Sequence, residues 1–177
     1  PAADRKNRIV WAGRFIVSKR PFLFVECVRR IVNSEPDICR DWTFCMYGKG
    51  PLKEAVKKQV SDLRLSGYIK VDDNPRMDEV FSRSRIFVST QEYENFTSLS
   101  MLEAIACGNS VIAFNTGQTD YFVRHDKNGL LVDKMDPADM ADAIIKVMKQ
   151  DALQVSFGRA SREMVLKYHT PDNFISE

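Results

Sequence analysis

The sequence predicts an α/β fold, a doubly wound parallel sheet in one domain. Short apolar runs alternate with longer stretches of helical period along the whole chain. Those runs are nearly continuous in apolar residues, as strands covered on both faces must be. The length of 177 residues suits one domain, and no internal repeat or linker divides it.

Taken in order, Arg8-Ile9-Val10-Trp11-Ala12-Gly13 reads as a buried strand ending at a glycine. Residues 21–33 place Val25, Val28 and Ile31/Val32 on one helical face, with Pro21 in the opening turn. Trp42 to Tyr47 is the next strand, stopped by Gly48-Lys49-Gly50-Pro51, a weak turn signal by itself. A helix from Leu52 to about Leu63 carries Leu52, Val56, Val60 and Leu63 as its apolar stripe. Its cations Lys53, Lys57 and Lys58, with Arg64, read as a solvated face; a membrane-surface role is the alternative. Tyr68 to Val71 is a short strand, Met77 to Ser84 a short helix, and Arg85 to Ser89 another buried strand. After a polar loop from Thr90 to Phe96, a helix from about Ser98 to Cys107 is apolar nearly all round and closes at Gly108. That pattern predicts full burial. Ser110 to Phe114 and Gly129 to Val132 are the last strands. Asp136-Pro137 opens an amphipathic helix with Asp as N-cap and Pro at the first position, turning Met140, Ile144, Val147 and Met148 inward. A final helix runs from about Ala152 to Tyr168.

Composition excludes several classes. Twenty-six Lys and Arg against 24 Asp and Glu leave a net charge of only +2, too balanced for a protein that binds nucleic acid by neutralising phosphates. No apolar run reaches the length of a membrane-spanning helix. Cys27, Cys39, Cys45 and Cys107 form no C-x-x-C pair, and His125 and His169 are the only histidines, so no metal site is expected. The cysteines sit in apolar segments and read as reduced, buried thiols of a cytosolic protein. The histidines read as a turn residue and a terminal-loop residue. The chain lacks an initiator Met and opens almost directly onto a strand, which predicts a piece of a longer protein.

In a doubly wound sheet, ligands bind outside the carboxyl ends of the strands, where the strand order reverses. After the first strand comes Gly13-Arg14, with Lys19 and Arg20 close behind, and no G-x-G-x-x-G dinucleotide fingerprint. Arg14 and Lys19 admit two readings: a clamp on an anion, with Arg bidentate, or solvated loop cations. The helix starting near Ser98 aims its first turn, Thr97-Ser98-Leu99-Ser100, at the end of the strand that stops at Ser89. Free N–H groups and the positive end of the helix dipole suit a phosphate there. Within that apolar helix Glu103 is expected to find a partner. Either it reaches back to the Ser100 N–H in a capping box, or it accepts from ligand hydroxyls, as acidic residues do with a ribose.

These segments together resemble a known family. Trp11-Ala12-Gly13-Arg14 with Lys19, Tyr47-Gly48-Lys49-Gly50-Pro51-Leu52, Ser66-Gly67-Tyr68-Ile69 and Ile86-Phe87-Val88-Ser89-Thr90 stand in family order. So do Leu102-Glu103-Ala104-Ile105-Ala106-Cys107-Gly108-Asn109-Ser110-Val111-Ile112, His125 to Val132, and Asp136-Pro137. The set resembles the C-terminal half of the family-4 retaining glycosyltransferases. What the resemblance implies is a GT-B fold, two Rossmann-like domains facing across a cleft, with this chain as the donor-binding half and the acceptor domain absent. It implies that Arg14 and Lys19 grip the donor diphosphate, that Gly13 lies beside them, that the backbone from Thr97 to Ser100 caps the phosphate, and that Glu103 holds the ribose.

The family motif E-x7-E puts its first Glu at position 95, where this chain has Asn95; Glu94 stands one residue early. Either Glu94 serves through a one-residue loop insertion, or Asn95, which both donates and accepts, holds the sugar hydroxyls. Asn95-Phe96-Thr97 also spells a glycosylation sequon, read as accidental. The implied partners are a nucleoside-diphosphate sugar and, through the other domain, an acceptor glycan or lipid-linked glycan, with neither nucleic acid nor metal cofactor. The implied place is the cytoplasm, with the inner membrane face as an alternative since many relatives use lipid-linked acceptors. The rival readings are a catalytically inactive nucleotide-sugar-binding relative or partner subunit, and an unrelated doubly wound domain with a structural role.

Overall fold

The computed structural model describes residues 5–73, 75–93 and 98–168. Glu94, Asn95, Thr97 and His169, named above, lie outside the described residues.

The strands form where the apolar runs predict them: Arg8–Ala12 (β1), Thr43–Tyr47 (β2), Ile69–Asp72 (β3), Ile86–Ser89 (β4), Ser110–Phe114 (β5) and Gly129–Val132 (β6). Between and after them lie the helices Pro21–Ser34 (α1), Pro36–Cys39 (α2), Lys53–Asp62 (α3), Met77–Ser82 (α4), Leu99–Ala106 (α5), Thr119–Phe122 (α6), Pro137–Met148 (α7) and Asp151–Tyr168 (α8). All six strands are parallel, in the order β3-β2-β1-β4-β5-β6. The chain therefore winds outward from β1 to β3, returns to the middle, and winds outward again from β4 to β6. The switch in strand order lies between β1 and β4.

Side chains alternate across the sheet with period two. Ile9, Trp11, Ile86, Val88, Ile112 and Phe114 enter the core shared with α1, α3 and α7. Val10, Phe87, Val111 and Ala113 enter the one beneath α4 and α5. Helix α7 starts as its sequence dictates: Asp136 accepts from the Ala138 N–H at 2.7 Å, Pro137 follows, and Met140, Ile144, Val147 and Met148 are buried.

Three expectations need correction. Helix α5 is not buried all round. Met101, Ala104 and Ile105 face the core, whereas Leu99 is 66% exposed and Glu103 and Ala106 are exposed as well. Only one face meets the sheet and its neighbours α4 and α8, and the apolar residues on the other face project from the fold. Lys53 is not part of a solvated face: its side chain is 12% exposed and paired with Asp73 at 2.7 Å, while Lys57 and Lys58 do sit outside, paired with Glu54 and Asp62. Among the thiols, Cys27, Cys39 and Cys45 are buried and free, but Cys107, at the end of α5, is half-exposed. Burial pushes the Cys39 thiol up to about 11, with the Glu35 carboxylate adding to it.

His125, expected in a turn, instead flanks the turn of residues 126–128 in an isolated bridge to Gly129, and has a further task. Its Nδ1 accepts from the Leu131 N–H at 3.1 Å, which occupies a backbone donor of β6, a strand at the edge of the sheet.

Candidate functional site

The loop after β1 and the segment after β4 meet at the switch point. Trp11, Lys19, Ser89, Gln91 and Ser98 line one niche at the carboxyl edge. Ser89, Gln91 and Ser98 also line a second niche, which continues to Thr116, Thr119 and Phe122. Each niche has room for only about 10 Å³, one water or so, and not for a nucleotide.

Lys19 ends a short 3-10 turn, Val17–Lys19. Its Nζ donates to Gln91 Oε1 at 2.5 Å, and burial pulls its ammonium below the ordinary lysine range. Its aliphatic stem runs past Gly13, where an added Cβ would meet Lys19 Cδ at 3.9 Å. Ser98 is the N-cap of α5 with extended backbone, yet its side chain makes no bond to the first turn. The Leu99 and Ser100 N–H groups therefore keep their donor capacity among the described residues, while the Met101 N–H bonds the Ser98 carbonyl at 2.9 Å. Lys19 and the start of α5 come together as the sequence pattern predicted. Arg14 stands exposed on the β1 loop and makes no hydrogen bond or ion pair among the described residues.

Glu103 takes neither the buried place nor the capping-box bond. It is exposed and has no hydrogen-bond partner among the described residues. Partial desolvation raises its carboxyl above the usual range, and the nearby Asp78 carboxylate raises it further. A carboxylate held so, on the helix that carries the proposed phosphate cap, is free to accept from a ligand.

Sequence reasoning missed what holds the two loops together. Thr90 is buried, accepts from the Trp11 indole N–H at 2.9 Å, and donates toward the Lys19 and Arg20 carbonyls at 2.7 and 3.1 Å. The Glu92 N–H adds a bond to the Ser18 carbonyl at 3.0 Å. Thr90→Val keeps the shape and removes the hydroxyl, so the indole N–H loses its acceptor in a buried site. The expected cost is about 1–3 kcal/mol of stability in urea unfolding; no change would mean that water replaces the hydroxyl.

The loop after β2 supports the same edge. Gly48 and Gly50 have φ of 149° and 151°. There the chain passes so close to the β1 loop that the Phe15 N–H bonds the Lys49 carbonyl at 2.9 Å and the Leu52 N–H the Phe15 carbonyl at 3.0 Å. The G-K-G spelling carried this signal, but its partner loop is visible only in the fold.

Among the described residues, no group of three or more His, Cys, Asp or Glu side chains is placed to hold a metal ion, and no helix is long and apolar enough to cross a membrane.

Comparison with known proteins places this geometry. A poly(ribitol-phosphate) alpha-N-acetylglucosaminyltransferase of Staphylococcus aureus (strain COL) is 27% identical over 168 residues, covering 93% of this chain and 33% of that protein. The crystal structure of a TarM variant of S. aureus with fondaparinux, alpha-GlcNAc-glycerol and UDP matches with a TM-score of 0.87 at 25% identity, over 96% of this chain and 34% of that one. The C-terminal domain of a group 1 family glycosyl transferase (LpcC) from Francisella tularensis shares the fold, with a TM-score of 0.80 at 19% identity over 96% of this chain and 90% of that one. This chain thus spans about a third of the length of the first two. Residues 6–150, most of the described sheet and its helices, match the family of glycosyl transferases group 1, and the chain belongs to that family, with the Rossmann-like fold found in GT-B glycosyltransferases.

Proposed function

We propose that this chain is the donor-binding half of a retaining glycosyltransferase that moves a sugar from a nucleoside diphosphate to an acceptor hydroxyl. The observation that carries the reading is the meeting of Lys19 with the first turn of α5 at the β1/β4 switch point. A cation and free amide donors there suit a diphosphate, whose charge grows as the glycosyl bond breaks. Fixed charges aimed at that growing charge lower the barrier. Lys19, Arg14 and the α5 amides supply the neutralising charge in this proposal, and no metal cofactor is assigned. Glu103 accepts from the ribose hydroxyls. Glu94 or Asn95 holds the transferred sugar, and the acceptor and any base acting on it belong to the other domain. This half binds donor and does not transfer by itself. The poly(ribitol-phosphate) relative and the UDP in the TarM structure support uridine as the base, an N-acetylhexosamine as the sugar and a polyol-phosphate polymer as the acceptor.

The test is thermal unfolding of the full-length protein with UDP, GDP and ADP. UDP at a hundred times its dissociation constant should add about 2.7 kcal/mol, read as a rise in the Tm of the domain that binds it. Lys19→Ala and Glu103→Ala should reduce the rise. No response to any nucleotide would overturn the reading.

Acidification supplies a further expected result. Glu103 must be ionised to accept two hydroxyl bonds, and its carboxyl is held above the usual range. Nucleotide affinity should therefore fall on lowering the pH before an unperturbed glutamate would protonate, and the early fall should vanish in Glu103→Gln.

A further inference from the structure

The edge of the sheet opposite Lys19, where the strands begin, carries a second feature. A cleft of about 520 Å³ opens there between the residues leading into β1, β4 and β5 and one face of α8. Four arginines line it: Arg5, Arg85, Arg159 and Arg162. Among the described residues two carboxylates pair with them, Asp151 with Arg85 at 3.1 Å and Glu163 with Arg159 at 2.8 Å.

The four do different work. Arg5 is structural, donating to the carbonyls of Ser84, Cys107 and Gly108 at the ends of two turns. Burial pulls its guanidinium down, and the neighbouring charges of Arg85 and Arg162 add to that. Arg85 gives one nitrogen to Asp151 and Gln154, while its buried Nε has no acceptor. Arg162 is exposed and makes no hydrogen bond or ion pair among the described residues. Val155, Arg159 and Arg162 follow one face of α8 at helical spacing, and Val155, 57% exposed, gives the cleft an apolar patch. Among the described residues the ring thus holds more positive charge than its partners cancel, beside an apolar wall.

We propose that this cleft is a second anion site, which takes the phosphate group of a phosphate ester, with the guanidinium groups of Arg162 and Arg159 as its donors and Val155 against the ester's carbon. Guanidinium forks match phosphate oxygens in geometry and charge, and the volume admits a small ester or one unit of a phosphodiester chain. The site is independent of the reading of the carboxyl edge.

Calorimetric titration of the full-length protein tests it with two probes, sn-glycerol 3-phosphate and bis(glycerol) phosphate. Saturable binding of the first alone identifies a monoester site, and of the second a unit of a diester chain. Arg162→Gln should weaken whichever binds by about tenfold, the loss of one charge-assisted contact. Lys19→Gln, at the other edge, should leave it unchanged. Arg159→Gln together with Arg162→Gln should abolish it, and the single variant, at an exposed position, keeps the test valid if the double variant does not fold. Heat that never saturates, binding indifferent to Arg162, or binding lost instead in Lys19→Gln would each overturn the site.

Discussion

Gly48→Ala should destabilise the protein by about 3 kcal/mol or more and remove its response to nucleotide. The added Cβ would lie 1.9 Å from the Gly13 carbonyl oxygen and 2.9 Å from its carbon. Both are backbone atoms of the loop after β1, so no side chain can swing aside, and the φ of 149° is itself costly for any residue with a Cβ. Relief requires the β1 and β2 loops to part, which carries Lys19 away from Ser98. Urea unfolding should show a lower midpoint at unchanged slope. Gly67 supplies the control, since nothing lies within 4 Å of its added Cβ, and Gly67→Ala should be close to neutral. An unchanged midpoint for Gly48→Ala would show that the two loops slide freely.

Lys19→Ala should lower the turnover of the full-length enzyme by about 10²–10³, the scale seen when one fixed donor to a developing oxyanion is removed. Folding should survive, because among the described residues the Lys19 side chain bonds Gln91 alone. The ammonium acts while protonated, and burial holds its pKa below the ordinary lysine value. Turnover that depends on it is therefore present at neutral pH and lost on the alkaline side, earlier than an exposed lysine would allow. Single-turnover rates at saturating donor measure this. Unchanged turnover in Lys19→Ala would remove that residue from the chemistry.

Most of the fold was legible because burial on both faces leaves a direct mark on sequence. All six strands and the five longer helices fall where apolar runs and helical stripes put them. The short helices Pro36–Cys39 and Thr119–Phe122 were not legible, since four residues show no period. The error at α5 has a physical cause too: a helix that reads apolar all round can still be half uncovered when one face leaves the fold. For the site, the pairing of Lys19 with the start of α5 followed from the rule that ligands meet strand ends. Thr90 and Trp11 could not be found that way. Their bond joins positions 79 residues apart, and a threonine after a strand looks like any loop residue until the fold sets the indole beside it.

That bond also has a bearing on how the molecule assembles. Of the strands of this sheet β1 leaves the ribosome before the others and can pair with β2, on which β3 then adds, but its other neighbour, β4, comes only after both. At about 5–20 residues per second, β1 waits several seconds for it, and the intervening chain must close a long loop at an entropic cost. The junction that holds Lys19 in place is thus completed only when the second half of the sheet docks on the first. Emission from Trp11, whose indole meets Thr90 across that seam, is a built-in clock for the docking, so that the ligand edge comes into being when the two halves of the sheet join and not as a local loop that any early intermediate could display.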